Sequence, residues 1–510
     1  MRLTSLASLM SLALGAGTLP TGVLSAQDPR VATIQLPVGH AVTGSMLVDI
    51  NGDDRTDLVL ACHNPKTGIR SLRTYLRQAK RGTAFASAPS QRPLNIDPDV
   101  VAFTFVDCTN APGRELILLT PELVVAVVGD KDGAPDYVQL ARHQLLWPAA
   151  EATILIPLRN AAVDFDGDGR TDLLLPKPDG WSVLFQDRDG DAPKFTRTAQ
   201  FALPQWEDSI SKAVRGRGLS AEDNSIELRI SDGKPADVAG MLVRTSTRTP
   251  RCKAIDLDKN GLLDLAMYRN DSMHAAKQLK AGALTPWEQP LPLSEDRLKA
   301  FDPAFNVQWP DVNGDGYADL LLTTSAQRDG NIEVRVDVFL ADANGAWADK
   351  PDSRLRMQQL ARPPQLMDVD GDGTNDLVCV TLRTSAMANL TSPQAASFDA
   401  QLTMYHNNGK AFVTPSLLSK QLPLVTNSEL KKPFLLVRPG RRGRPGDVLL
   451  HTNGHLERRF LNLKGKQLTM AKADARTPVP EKATILLADE LGDDILILTG
   501  NEVRHVSFRR

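Results

Sequence analysis

Short runs of apolar residues, each bounded by turn residues, recur along the whole chain. Five of these runs begin directly after an acid that closes a nine-residue polar segment, and an apolar residue precedes each segment. A short apolar run that is flanked by Gly and Asp predicts a buried β-strand. The pattern therefore predicts a strand, an acidic loop and a second strand, repeated five times.

The five acidic loops share one arrangement of polar residues. Positions 1, 3 and 5 are Asp or Asn, position 9 is Asp, and position 6 is Gly except in the first loop, which has Asp54 there. Position 7 varies freely, as expected if it offers only its backbone carbonyl. The candidate metal ligands are Asp49, Asn51, Asp53, Asp57; Asp164, Asp166, Asp168, Asp172; Asp256, Asp258, Asn260, Asp264; Asp311, Asn313, Asp315, Asp319; and Asp368, Asp370, Asp372, Asp376.

These ligand types select a hard cation, because several oxygens converge without His or Cys. Calcium fits better than magnesium, since the loop is flexible and rich in carboxylates. The alternative is a set of surface turns without metal, because Asp and Gly favour turns in any protein. An EF-hand is excluded, because position 12, where that motif needs an acid, is Leu60, Leu175, Met267, Leu322 or Cys379.

Three degenerate copies of the loop complete a period. They begin at residues 107, 439 and 489, and the eight starts are then 50 to 71 residues apart, except for one interval of 92. A glycine turn follows 26 residues after four of the starts, at Gly133, Gly190, Gly282 and Gly465. Four short antiparallel strands repeated around an axis are typical of a β-propeller blade.

We therefore predict an all-β fold, a β-propeller of eight four-stranded blades. Seven blades are the alternative, if one degenerate copy is an insertion, and a solenoid of the same unit is a further one. The last unit lacks an outer strand, and residues 31–37 have no unit of their own. We expect this N-terminal strand to close the last blade, which removes an exposed edge. The long interval predicts an insertion at about residues 200–245.

The N-terminal residues predict export. Arg2 precedes an apolar stretch over residues 3–16 and a small residue, Ala26, at a cleavage position. We divide the chain into a signal peptide, residues 1–26, and a single propeller, residues 27–510, and expect a secreted, periplasmic or cell-surface protein. The apolar stretch is too short to span a bilayer. A formal net charge of −2 gives no electrostatic attraction to nucleic acid or to an anionic membrane.

The loop with Asp at position 9, followed by Leu and a strand, resembles the FG-GAP/VCBS repeat, which is also seen in integrin α-subunit propellers. The resemblance implies about five structural calcium sites, each between the first two strands of a blade and held by the residues given above. It does not extend to metal binding by the degenerate copies. Bound calcium would neutralise carboxylates that otherwise repel one another.

Catalytic signatures are absent from the sequence. The eight histidines are scattered, without an H-E-x-x-H or G-x-S-x-G motif, and are expected at the surface or in loops. The leading hypothesis is a non-enzymatic binding or adhesion module for an extracellular protein or glycan. The alternative is a calcium-dependent extracellular polysaccharide lyase or a related carbohydrate-active enzyme. Lys431, Lys432 and the arginines of residues 438–444 predict a solvated basic loop, with an anion site as the alternative.

The four cysteines are too few for a disulfide scaffold in a chain of 510 residues. Cys62 and Cys108 lie in neighbouring units, so a disulfide between them is one option after export. We expect Cys252 and Cys379 to be buried and unpaired.

Overall fold

The structure is a computed structural model. It describes residues 30–36, 40–78, 85–86, 88–89, 93–131, 134–145, 161–177, 180–187, 194–202, 252–269, 272–292, 306–328, 331–348, 350–358, 360–382, 397–425, 434–441, 443–480, 483–487, 494–499 and 502–508. Over these residues the chain forms thirty-four strands and no helix, and the strands assemble into eight four-stranded sheets and one two-stranded sheet. The sheets are the blades of a β-propeller.

Strand β1 (Arg30–Gln35) precedes the first blade and belongs to the last. Blade 1 contains β2 (Ala41–Val48), β3 (Asp57–His63), β4 (Arg70–Tyr75) and β5 (Leu94–Ile96). Blade 2 contains β6 (Ala102–Val106), β7 (Glu115–Leu119), β8 (Leu123–Lys131) and β9 (Ala134–Arg142). Blade 3 contains β10 (Ala162–Val163), β11 (Asp172–Lys177), β12 (Gly180–Asp187) and β13 (Lys194–Ala202). Blade 4 contains β14 (Cys252–Ile255), β15 (Asp264–Arg269), β16 (Ser272–Ala276) and β19 (Glu288–Pro292), with the small hairpin β17 (Gln278–Lys280) and β18 (Ala283–Leu284).

The second half of the ring repeats this organisation. Blade 5 contains β20 (Asn306–Gln308), β21 (Leu320–Arg328), β22 (Asn331–Phe339) and β23 (Ser353–Gln358). Blade 6 contains β24 (Gln365–Met367), β25 (Asp376–Leu382), β26 (Ser397–Tyr405) and β27 (Leu418–Val425). Blade 7 contains β28 (Leu435–Arg438), β29 (Asp447–Thr452), β30 (His455–Lys464) and β31 (Gln467–Pro478). Blade 8 contains β32 (Thr484–Leu487), β33 (Asp494–Thr499), β34 (Glu502–Ser507) and β1.

The ring closes through the N-terminal strand. Strand β1 pairs antiparallel with β34, from Arg30 opposite Ser507 to Gln35 opposite Glu502, and so supplies the outer strand of blade 8. The eight-blade prediction and the predicted closure are confirmed, and the seven-blade and solenoid alternatives are wrong. The physical reason is the unpaired edge that β34 would otherwise expose.

The core lies between neighbouring blades. Strand β3, for example, is buried along its whole length, because Leu58 and Leu60 pack against blade 8 while Val59 packs against blade 2. A strand that is covered on both faces needs a continuous run of apolar residues, whereas a strand with one exposed face alternates apolar and polar residues. Burial of both faces therefore fixes each second strand, and with it the position of the acidic loop that precedes it.

The glycine turns and the cysteines test two further predictions. Gly282 and Gly465 adopt positive φ values of 76° and 63° in tight turns, as the period indicated, whereas Gly133 and Gly190 lie outside the described residues. All four cysteines are buried and free. Cys62 and Cys108 do not pair, because the first packs between blades 8 and 1 and the second between blades 2 and 3.

Several predictions concern other parts of the chain. The signal peptide at residues 1–26 lies outside the described residues, and so does nearly all of the insertion expected at about 200–245. In the part of the chain that the structure describes, no helix is long and apolar enough to cross a bilayer.

Candidate metal sites

The carboxylate at position 1 shapes each acidic loop, which joins the first and second strands of blades 1, 3, 4, 5 and 6. In blade 5, Asp311 accepts hydrogen bonds from the backbone N–H groups of Gly314 (2.7 Å) and Gly316 (3.0 Å). This wrapping requires a left-handed residue at position 6, which explains the preference for Gly there. The φ values at position 6 are 61° at Asp54, 82° at Gly169, 85° at Gly261, 87° at Gly316 and 92° at Gly373.

The carboxylate at position 9 ties three strands of its blade together. Asp319 accepts one hydrogen bond from Val312 N (2.7 Å), at the start of the loop, and one from Ala341 N (2.8 Å), just after the third strand. The same second bond recurs from Arg77 N to Asp57 (2.8 Å), Gln186 N to Asp172 (2.9 Å), Gln278 N to Asp264 (2.6 Å) and Asn407 N to Asp376 (3.0 Å). Position 9 is therefore a structural acceptor as well as a candidate ligand.

Burial disfavours the charge on these position-9 carboxylates. It raises the pKa of each of four of them from 3.8 to about 6, and it raises the pKa of Asp57 as well; the four are Asp172, Asp264, Asp319 and Asp376. Hydrogen bonds from backbone N–H groups oppose this shift, and neighbouring loop carboxylates add to it. A cation in the loop would stabilise the ionised form of all of them.

The loops bring carboxylate oxygens together. In blade 3, oxygens of Asp164, Asp166 and Asp172, at positions 1, 3 and 9, lie within 4.8 Å of one another, and Asp256, Asp258 and Asp264 form the same group in blade 4. In blade 6 the group is Asp368, Asp370 and Asp372, at positions 1, 3 and 5. In blades 1 and 5, position 3 is an amide, Asn51 or Asn313.

Some of these oxygens are buried and unsatisfied. Asp164 Oδ1, Asp166 Oδ1 and Asp258 Oδ1 are shielded from solvent and have no hydrogen-bond partner among the described residues. A buried carboxylate oxygen without a partner is costly unless a cation compensates it. The donor chemistry and the unsatisfied oxygens thus both fit a hard cation, and in blades 3, 4 and 6 three of the predicted ligands lie together.

Arginine side chains compensate part of the charge in blade 3. Arg170 forms an ion pair with Asp168, and Arg197 Nη2 lies 3.2 Å from Asp166 Oδ2. Arg197 is about half exposed, so its contribution is that of a surface pair. It leaves Asp166 Oδ1 available for a metal.

The degenerate loops keep the acid at the start of the second strand and satisfy it with protein groups. In blade 7, the Arg438 guanidinium binds both oxygens of Asp447. In blade 8, Asp494 contacts His505 Nε2 (3.0 Å) and Arg77 Nη2 of blade 1 (3.1 Å). In these two degenerate loops an arginine side chain therefore binds the acid at the start of the second strand, where the intact loops bring several carboxylates together.

Blade 2 satisfies its acid without a cation. Glu115 accepts hydrogen bonds from Cys108 N (2.9 Å) and from the Thr109 hydroxyl. Each blade thus retains an acid at the start of its second strand, and only its partners differ.

Two expectations from the sequence are wrong here. Arg438 was assigned to a solvated basic loop, but it is 5% exposed because it pairs with Asp447. The sequence predicts histidines at the surface or in loops, but four of them are buried within strands, namely His63, His274, His451 and His505, whereas the buried His143 lies in a loop.

Asp494 was missed as the position-9 acid of blade 8, because the shortened loop shifts its spacing. An apolar run, residues 495–498, directly follows Asp494, as apolar runs follow the other position-9 acids. This run could have identified Asp494 from the sequence. Arg77 and His406, which approach the loops from the ends of third strands, carry no such signal.

Neighbouring loops touch one another around the ring. Gly440 N of blade 7 donates a hydrogen bond to Asp368 O of blade 6 (2.6 Å), and Lys259 Nζ of blade 4 donates to Asp315 O of blade 5 (2.7 Å). Hydrogen bonds therefore connect loops of neighbouring blades.

A cavity of about 1210 Å³ lies at the centre of the ring. The first strands of blades 4 to 8 line it, and its polar lining includes Lys253, Gln308, Asp311, Arg362 and Gln365. Asp311 belongs to the acidic loop of blade 5, so this loop and the cavity share a wall. A large concave site with a few polar groups is the usual form of a ligand site.

Comparison with known proteins agrees with the fold. The protein is a β-propeller, and residues 311–379 match the family model of the FG-GAP-like repeat. The matched segment runs from the acidic loop of blade 5 through that of blade 6, so this chain is a β-propeller protein that carries an FG-GAP-like repeat. No protein of curated function matches the sequence.

Solved structures resemble the chain with low sequence identities and low TM-scores. A lectin of Agrocybe aegerita, solved for its recognition of non-reducing terminal N-acetylglucosamine, is 12% identical with a TM-score of 0.36, over 87% of this chain and 93% of the lectin. The exotype rhamnogalacturonan lyase YesX is 12% identical with a TM-score of 0.35, over 94% of this chain and 76% of the lyase. BBS1N, in its complex with ARL6DN, is 11% identical with a TM-score of 0.31, over 98% and 97%. At these scores the likenesses carry no argument about a ligand.

Proposed function

We propose that this protein is an exported, calcium-stabilised propeller that acts as a non-enzymatic binding or adhesion module for an extracellular glycan or protein. The observation that carries the metal part is the convergence of carboxylate oxygens, some of them buried and unsatisfied, in three loops of one repeated design. Calcium is favoured over magnesium, because the ligands are many, acidic and held on a loop.

The residues that would hold calcium are positions 1, 3, 5 and 9 of each intact loop, with the backbone carbonyl of position 7. Bound calcium would supply positive charge where the buried position-9 carboxylates are costly to ionise. The protein groups would keep the loop in shape: the position-1 carboxylate accepts hydrogen bonds from the loop backbone, and the position-9 carboxylate connects three strands. Extracellular calcium modules bind at about 10⁻⁴ to 10⁻³ M, a range that suits an exported protein.

The central cavity is the proposed ligand site. Lys253 and Arg362 bring positive charge to it, and the side-chain amides of Gln308 and Gln365 can bind hydroxyl groups. The two cations outnumber the single carboxylate of the lining, Asp311, so the lining suits a polar ligand that carries negative charge, such as an acidic glycan. A calcium-dependent polysaccharide lyase is the second candidate function, because the amine of Lys253 is a possible base in the same cavity.

Retention on immobilised uronic-acid polysaccharide tests both candidates. We expect retention in millimolar calcium, loss of retention in chelator, and weaker retention of K253E than of K280E, an exposed control in β17. Equal retention of the two variants would contradict the cavity as the site. Ultraviolet absorption from unsaturated sugar ends would contradict a non-enzymatic module and support the lyase.

A further inference from the structure

One acidic loop has a histidine beside it. His406 directly follows β26, and its Nδ1 lies 3.4 Å from Asp376 Oδ1, 3.6 Å from Asp370 Oδ2 and 3.9 Å from Asp372 Oδ2. Potential ligand atoms of Asp370, Asp376 and His406 all lie within 4.8 Å of one another. Asp376 is fully buried, and the side chain of Asp370 is 8% exposed.

The geometry of this nitrogen is that of a ligand. Nδ1 is shielded from solvent and has no hydrogen-bond partner in the described part of the chain, although three carboxylates surround it. Its distances exceed those of N–H···O hydrogen bonds, which are about 2.7–3.2 Å. Two ligand atoms that each lie about 2.1 Å from a tetrahedral metal ion are about 3.4 Å apart. The nitrogen and the nearest carboxylate oxygens are spaced accordingly.

The other intact loops have no imidazole at the matching position. The residue that precedes the backbone donor to position 9 is Leu76 in blade 1, Phe185 in blade 3, Lys277 in blade 4 and Leu340 in blade 5. The Lys277 ammonium donates to Asn344 O (2.9 Å) of blade 5. Among the five intact loops, that of blade 6 alone has an imidazole at this position.

We propose that the loop of blade 6 is a mixed nitrogen–oxygen site for a first-row transition-metal dication, with His406 Nδ1, Asp370 and Asp376 as ligands. Imidazole favours zinc and related ions, whereas all-oxygen loops favour calcium. In protein without transition metal, calcium occupies this loop as it does the others; zinc displaces calcium from this loop alone. This inference rests on the proposed function in treating the loops as metal sites. The rival explanation is that His406 is only a protein partner of these carboxylates, as Arg438 is of Asp447 in blade 7.

The test is a zinc titration of calcium-saturated protein by calorimetry, with released calcium measured by an indicator. The wild type should bind one zinc ion and release one calcium ion. H406L, which installs the residue of blades 1 and 5, should bind zinc at least about tenfold more weakly, because even outer-shell partners of metal ligands are worth 10–100-fold. H455L removes an exposed histidine of β30 and should match the wild type.

Cobalt gives a second readout. Its visible spectrum should show a nitrogen ligand in the wild type and in H455L and lose that feature in H406L. Equal zinc affinity in the wild type and H406L, with five calcium ions bound to both, would overturn this inference and leave the proposed function standing. If the wild type binds neither zinc nor calcium, both this inference and the calcium part of the proposed function are overturned. A melting temperature of H406L equal to that of the wild type checks that any loss of zinc binding reflects the ligand and not the fold.

Discussion

Calcium binding by this protein should release protons at mildly acid pH. In the metal-free protein, burial raises the pKa of Asp172, Asp264, Asp319 and Asp376 to about 6. A group with its pKa at the ambient pH is half protonated, so the four carboxyls carry 4 × ½, or about two protons, at pH 6. Calcium binds the ionised form, and about two protons should therefore leave at pH 6 and almost none at pH 8.

The same shifts give the sign of the stability change in metal-free protein. The folded pKa values lie above the ordinary value of 3.8, so the folded state binds these protons more tightly than the unfolded state. This contribution to the free energy of unfolding is complete below about pH 4 and is lost as the pH rises through about 6. Saturating calcium should remove that dependence, because it holds the carboxyls ionised.

Calorimetry of calcium binding in two buffers with different ionisation enthalpies measures the proton count directly. D319N cannot take up a proton at position 9, so its release at pH 6 should fall by about half a proton. A proton release that is the same at pH 6 and pH 8 would refute the reasoning, because it would mean that the buried carboxyls are already ionised without metal.

Three further predictions concern the ring itself. R438A should lower the free energy of unfolding by about 3–5 kcal/mol in urea titrations, and calcium should not rescue it, because the buried Asp447 loses the guanidinium that binds both of its oxygens. G345A should lower the melting temperature more than its control G409A, although both glycines have positive φ values. An added Cβ at Gly345 would lie 2.2 Å from Leu257 O, whereas a Cβ at Gly409 would meet nothing within 4 Å. G409A should lower the free energy of unfolding by about 1 kcal/mol because of its left-handed backbone alone. Equal losses in G345A and G409A would argue against the close packing of Gly345 on Leu257. Deleting β1 should cause aggregation in light scattering, because β34 becomes an exposed edge, whereas removal of the predicted signal peptide alone should not.

The repeat made most of the fold predictable. The acid at position 9 and the apolar run after it survive in nearly every unit, because the acid bonds two backbone segments and the run is covered on both faces. The segment at residues 31–37, which has no unit of its own, indicated the closure because the last unit lacks the fourth strand that every other blade has, and β1 supplies it.

The partners of the acids were not predictable, because they come from distant parts of the chain. Arg77 reaches Asp494 across the closure, and His406 reaches Asp376 from the end of the next hairpin. No spacing rule links such pairs. The central cavity is equally a product of assembly, since it needs the first strands of five blades at once.

The central claim is that the acidic loops hold calcium and that calcium stabilises the ring. Calcium titration of chelator-stripped protein by calorimetry, with the melting temperature followed in parallel, tests it most directly. The account predicts about five sites, one for each intact loop, and a large rise in melting temperature. No binding at millimolar calcium, with an unchanged melting temperature, would show that the loops are only turns and would contradict the claim.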